Sequence, residues 1–333
     1  MDAKLTDSVI ANRPTPEMYK TGRDIECQCA RCGSSIYSEQ GKPMSISNEP
    51  KIMGIAPWFG AKRNLAPKIV QLIGRHRVYW EPFCGSLAVL FAKEQAVMET
   101  ANDMHGHLIN LARALKDEQT AIELYGRMSR LVFHEQLFEE ARNCVVRDES
   151  RAPEIPDLDR AEAFLVCSWF GRNGVAGCKN YNLNFSARYT ANGGHAATRW
   201  EGVVASIPAW HRRLCRVTIL QRDAFELLEK IKDAEGAVVY CDPPYVVKKA
   251  KYKHDFDDQD HDRLARALRR FQKTRVLVSY YDHPKVSKLY DGWSRHDFTV
   301  TKSLVSSGQR DGANKVQANE VVFVNDRASQ YLF

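Results

Sequence analysis

Short β-branched or aromatic segments alternate with helical periodicity along most of this chain, and that alternation leaves few folds open. Residues 78–81, 97–101, 217–220, 237–241, 276–279, 297–300 and 321–324 read as strands, each bounded by turn residues. Helical spacing is predicted over 65–74, 88–95, 108–117, 121–130, 161–170, 224–231 and 260–271. In the last of these Leu264, Leu268 and Phe271 form one stripe, and Asp257 or Asp258 is placed to cap it. Strands and helices in alternation build a largely parallel α/β sheet covered on both faces.

One stretch breaks the rule. Between 121 and 214 the sequence offers helices and glycine-rich loop but no convincing strand, and it includes an acidic, proline-bearing connection at 148–159. This reads as a mainly helical domain (121–214) inserted into a first domain made of 51–120 and 215–333. Residues 1–50 are rich in Ser, Pro, Gly and charge, so they read as an irregular extension, mobile over part of its length.

Composition excludes several classes. The 333 residues are 44% apolar and 27% charged, which is ordinary for a globular chain with a sizeable core. No apolar run reaches the roughly 18–20 residues that span a bilayer, and the N-terminus has no signal-peptide core. Nine scattered cysteines, an odd number, read as reduced thiols in a cytoplasm. The net charge of +7 is mild, so it points to a polyanion only where the charge is clustered.

The strongest chemical signal is Asp242-Pro243-Pro244-Tyr245, which follows an apolar strand directly. Open α/β sheets place ligands at the carboxyl ends of their strands. Two prolines stiffen the turn and remove two backbone donors. The Asp242 carboxylate and the Pro243 carbonyl are then an acceptor pair for an amino group with two hydrogens, and the Tyr245 ring suits a flat heterocycle. That combination describes a pocket for the exocyclic NH₂ of a nucleobase, against the plainer reading of a proline-rich surface turn.

Weaker signals flank it. Glu81-Pro82-Phe83-Cys84-Gly85 is a strand, a tight turn and a helix start, without the Gly-x-Gly-x-x-Gly of a dinucleotide site. Pro57-Trp58-Phe59-Gly60-Ala61-Lys62 is a near miss for a phosphate loop. Asn102-Asp103 closes the second strand, where an acid is placed to accept ribose hydroxyls.

In this order these segments resemble the Dam-like class of N6-adenine-specific DNA methyltransferases. The resemblance covers about 57–325 and includes Arg172-Asn173-Gly174, Arg222-Asp223-Ala224-Phe225, Ser279-Tyr280-Tyr281-Asp282-His283 and Asn319-Glu320-Val321-Val322-Phe323. It implies a Rossmann-like methyltransferase sheet, mostly parallel with one antiparallel strand near the C-terminus, and an insert that recognises the target.

The implied cofactor is S-adenosylmethionine. Trp58, Phe59, Gly60 and Lys62 would bound its methionine end, with Lys62 near the carboxylate. Pro82, Phe83 and Gly85 would give backbone contacts, Asp103 would hold the ribose, and Asp223, Ala224 and Phe225 would border the adenine, with Asp242 alongside. The chain departs from the family at Ala61 and Leu87, where glycines are usual; Leu87 either narrows the cofactor turn or packs under the helix.

The implied catalytic residues are Asp242, Pro243, Pro244 and Tyr245, which would act on an adenine flipped out of duplex DNA and stacked on Tyr245. Two basic runs would meet phosphates. One holds Arg172, Asn173, Lys179, Arg188, Arg199, Arg212 and Arg213; the other holds Lys248, Lys249 and Lys251, in a loop (246–255) expected to order on DNA.

Cys27, Cys29 and Cys32 offer half of a zinc site, with His105 or His107 as conceivable fourth ligands. No second pair follows at ribbon spacing, so free thiols in a flexible arm are the preferred reading. Cys84 and Cys241 border the pocket as packing residues. Rival functions are an N4-cytosine DNA or N6-adenine RNA methyltransferase, and a catalytically silent DNA-binding module. The expected setting is the cytoplasm of a bacterium, or a virus within one. A monomer is the default, and the sequence leaves a restriction endonuclease partner open.

Overall fold

The computed structural model describes residues 52, 54–58, 62–147, 151–171, 184–187, 195–246, 256–301 and 317–326. Seven strands form one sheet: β1 (Val78–Glu81), β2 (Met98–Asn102), β3 (Val217–Leu220), β4 (Ala237–Cys241), β5 (Arg275–Tyr281), β6 (Ser294–Thr301) and β7 (Gln317–Val324). Their order is β3-β2-β1-β4-β5-β7-β6. The first five run parallel, and β7 lies antiparallel to both β5 and β6. The strand order therefore reverses between β1 and β4, and the crevice at such a switch point opens at the carboxyl ends of those two strands.

The apolar run of β4 is buried at all five positions, as a central parallel strand requires. Successive side chains alternate between faces. Val239, Cys241, Val276 and Val278 pack with α8 (Ala224–Lys230), α9 (Asp258–Arg269) and α10 (Pro284–Leu289). Tyr240 and Leu277 face the core of α1 (Ala66–Ile73), α2 (Ala88–Ala92) and α3 (Gly106–Lys116). The Leu264–Leu268–Phe271 stripe lies in the first of these cores. Asp257 caps α9 by accepting from Gln259 N and Asp260 N at 2.8 and 2.9 Å.

Four helices stand between β2–α3 and β3: α4 (Glu118–Arg130), α5 (Glu135–Arg147), α6 (Leu158–Phe170) and α7 (Ala196–Leu214). They share one hydrophobic core with α3, and Pro50–Phe333 is one compact unit. Helix α7 escapes a propensity reading because Gly202 and Pro208 interrupt it. Its buried stripe, Trp200, Val203, Ile207, Trp210 and Leu214, is nonetheless helical in spacing. No helix among the described residues is long and apolar enough to cross a membrane.

The extension 1–50, with Cys27, Cys29 and Cys32, lies outside the described residues, as does the 247–255 stretch. His105 and His107 are core residues here, 2% and 1% exposed. His105 caps α3 through Leu108 N, and His107 lies between Val145 O and the Arg160 guanidinium.

Candidate active site

The turn after β1 is built on backbone conformations few residues adopt. Gly85 has φ +46°, and a Cβ there would sit 3.1 Å from Trp58 Nε1, so only glycine fits without displacing the indole. Asp103 fixes the turn from the end of β2: Oδ2 accepts from Gly85 N and Oδ1 from His105 N, each at 2.9 Å. The Asn102 amide donates to Pro82 O and Arg222 O, and accepts from Arg222 N, tying the turns after β1 and β3 together.

Leu87 has φ 65° and ψ 22° and is 1% exposed. Of the two readings left open for it, the structure takes the second: the side chain packs under α2. Left-handed backbone costs a non-glycine residue about 1–2 kcal/mol, which burial of a leucine, worth about 1.5–3 kcal/mol, offsets.

These turns enclose a cleft of about 280 Å³. Its lining includes Trp58, Lys62, Pro82, Phe83, Gly85 and Asp103 from one side, and Asp223, Ala224, Phe225, Asp242 and Pro244 from the other. The structure thus brings to one cleft every expected cofactor residue it describes; Phe59 and Gly60 lie outside the described residues. Asp223 caps α8 through Phe225 N and Glu226 N. Phe225 stacks on Phe256 at 5.5 Å and 19°, with the Arg263 guanidinium 4.0 Å from its ring centre.

Beside the cleft lies a buried charge cluster. Asp242 Oδ1 is 2.9 Å from Lys62 Nζ and accepts from Tyr245 Oη at 3.0 Å and Ser279 Oγ at 2.9 Å. Tyr240 Oη backs Ser279 Oγ at 3.0 Å. Lys62 also donates to Tyr245 Oη and lies 3.5 Å from Glu320 Oε2. Its side chain is 3% exposed. Burial pulls the Lys62 pKa down, but Asp242 and Glu320 together outweigh it and hold the group above lysine's ordinary value. Burial likewise raises Glu320, an effect Lys62 opposes and Asp242 reinforces. Glu81, on the cleft floor, is pushed up to about 8 by burial, with Tyr79 Oη donating to it at 3.1 Å.

Two expectations change in detail. Tyr245 does not present its ring to the cleft: it is 4% exposed, packed edge-on against Tyr281 at 4.5 Å, with its hydroxyl on Asp242. Lys62 spends its charge on Asp242 and Glu320 as well as lining the cleft. Sequence alone assigns no role to the partners Ser279, Tyr240 and Glu320, although Ser279-Tyr280-Tyr281 and Asn319-Glu320 belong to segments of the family pattern.

Residues 58–304 match the family described as D12 class N6 adenine-specific DNA methyltransferase. The chain belongs to this family. It is 26% identical over 268 residues to the retron Ec67 DNA adenine methylase of Escherichia coli, covering 79% of this chain and 90% of the relative. It is 24% identical to the type II methyltransferase M.MjaIII of Methanocaldococcus jannaschii (76% and 93% covered), and 24% identical to the DNA N-6-adenine-methyltransferase of Escherichia phage P1 (78% and 34%).

Among the described residues, the expected DNA-binding arginines of this methyltransferase do not form one patch. Helix α7 starts where Trp200 meets Phe170 at 4.9 Å, at the end of α6 whose Trp169 Nε1 donates to Ile55 O beside the Ser86 turn. Arg199 in its first turn is therefore on the cleft side. Arg212 and Arg213 are at the other end of α7, roughly 20 Å along the axis, where the chain enters the amino end of β3. Arg213 is not a surface cation at all: it makes paired hydrogen bonds to the buried Glu99 at 2.6 and 2.9 Å. Arg172, Asn173, Lys179, Arg188, Lys248, Lys249 and Lys251 lie outside the described residues.

Proposed function

We propose that the Asp242 cluster and the adjoining cleft are the methyl-transfer site of this adenine-specific DNA methyltransferase. The observation that carries the reading is the division of the Asp242 carboxylate. All three hydrogen-bonding partners found among the described residues act on Oδ1, which leaves Oδ2 to accept from an incoming amino group.

The residues of the cleft fit S-adenosylmethionine. Gly85 allows close backbone approach, Asp103 brings a carboxylate to the end of β2 beside that turn, and Phe225 offers an apolar wall for a flat ring. S-adenosylmethionine bound there supplies a methyl group on a positively charged sulfur, already a strong electrophile.

The chain's own task is to present the nucleophile. The adenine amino nitrogen is weak because its lone pair is delocalised into the ring. Acceptors at Asp242 Oδ2 and Pro243 O would favour its pyramidal form and aim it, and fixed dipoles of this kind need no reorganisation during reaction. The base must leave the helix to reach them, at a cost of a few kcal/mol. Tyr245 holds Asp242 by its hydroxyl; for its ring to stack on the base, the 243–246 turn must swing it outward.

We place duplex DNA against the cleft side of the insert, where Arg199 stands, and assign target recognition to α4–α7. The test is methyl transfer from labelled S-adenosylmethionine to unmethylated duplex DNA, followed by nucleoside analysis. N6-methyladenine from the native protein, with at least a hundredfold loss in Asp242→Ala, is the expected result. Label in cytosine, or an active Asp242→Ala, would overturn the assignment of this site.

A further inference from the structure

Glu320 stands on β7 opposite Tyr281 of β5, and its side chain is 8% exposed. Its Oε2 lies 3.5 Å from Lys62 Nζ, within ion-pair range, yet finds no hydrogen-bond donor among the described residues. A buried carboxylate held so loosely is costly. Its neighbours show what the cost maintains.

Lys62 lies between two carboxylates, Asp242 and Glu320. Had it only Asp242, the pair would be neutral, and a neutral pair does little for a reaction in which positive charge arrives on the amino nitrogen. With Glu320 the cluster carries one net negative charge next to that nitrogen, and the Lys62 and Glu320 side chains, 3% and 8% exposed, are largely withdrawn from water screening.

We propose that Glu320 is a positioning residue for methyl transfer: it holds the Lys62 ammonium between two carboxylates, so that Asp242 keeps its strength as an acceptor and the cluster stays negative. The inference rests on the reading of Asp242 as the acceptor of the amino group.

The experiment uses the full chain in four variants: Glu320→Gln, Lys62→Met, Lys62→Met/Glu320→Gln and Asp242→Asn. Single-turnover transfer to unmethylated duplex, S-adenosylmethionine affinity and urea unfolding are measured. Glu320→Gln should slow single-turnover transfer roughly 10- to 100-fold with cofactor and DNA affinity unchanged. In unfolding, Lys62→Met should lower the urea midpoint by leaving two carboxylates buried together, and adding Glu320→Gln should raise it again.

Equal unfolding costs for Glu320→Gln with and without Lys62 would make Glu320 a packing residue and overturn the proposal, as would a native transfer rate in Glu320→Gln. Should the Lys62 variants not accumulate, the pH profile decides. Glu320 faces Lys62, Asp242 and Tyr281. The native rate should fall as pH drops through its raised pKa, and that limb should be missing in Glu320→Gln; an unchanged limb overturns the proposal. A native rate in Asp242→Asn would instead remove the reading of Asp242, while the Lys62–Glu320 coupling in unfolding would stand.

Discussion

The sheet carries a buried lysine–carboxylate cluster at each end, and the two are built on opposite plans. Glu99 lies level with Tyr79 and Val238, near the amino ends of the strands. Its Oε1 accepts from Lys93, Ala96 N and Arg213, and its Oε2 from Arg213. Two cations surround one anion and both oxygens are filled. At the carboxyl ends, two anions surround one cation, and Asp242 Oδ2 and Glu320 Oε2 are left without hydrogen-bond donors among the described residues. A closed set of partners holds the fold together; an open set is where a substrate can be bound.

The contrast breaks most visibly at Glu99. Glu99→Ala strands two buried cations, which should cost about 3–5 kcal/mol in urea unfolding, while folded protein at permissive temperature still transfers methyl groups at the native rate. If transfer were lost in the folded fraction, the amino-end cluster would have a chemical role and the division would fail.

Glu81 sharpens the comparison through pH. Its folded pKa, pushed up to about 8 by burial, exceeds the ordinary carboxylate value of 4.5. Between these values the unfolded chain ionises while the folded one holds its proton, so rising pH favours unfolding. Stability should decline from about pH 4.5 to about 8 and level off beyond. Urea midpoints across that range check this, and Glu81→Gln should flatten the decline.

The smallest effect concerns Leu87. Leu87→Ala loses the burial and keeps the left-handed backbone; Leu87→Gly loses the same burial and relieves the backbone. The glycine variant should therefore be the more stable of the two by about 1 kcal/mol, the reverse of the order in helix interiors. The alanine variant unfolding later would show that the turn does not need its present conformation.

What sequence could reveal followed from how local each feature is. Strand β4 was legible because a run buried on both faces is apolar throughout, and Asp242 was legible because it follows that strand directly. Gly85 and Asp103 were legible in the same way from the turns after β1 and β2, whereas Trp58, Lys62 and residues 223–225 came from the family resemblance alone. Glu320 had no such signal. Its meeting with Lys62 depends on the antiparallel register of β7 on β5, which no short window contains. Arg213 was misgrouped for a related reason: counting charge along the chain ignores that the last turn of α7 lies at the amino ends of the strands, where Arg213 meets Glu99. The burial of the Tyr245 ring was not legible because it comes from packing against Tyr280 and Tyr281, which lie on a different strand.

The position of β7 also orders events during synthesis. Lys62 precedes the first strand, whereas Glu320 belongs to the last, which inserts between β5 and β6. A growing chain has made Trp58, the Gly85 turn, Asp103, Phe225 and Asp242 before β7 leaves the ribosome. On the proposed reading the cofactor-lining residues all precede β7 in synthesis, and the charge balance around Lys62 is set only when the final strand pairs with β5.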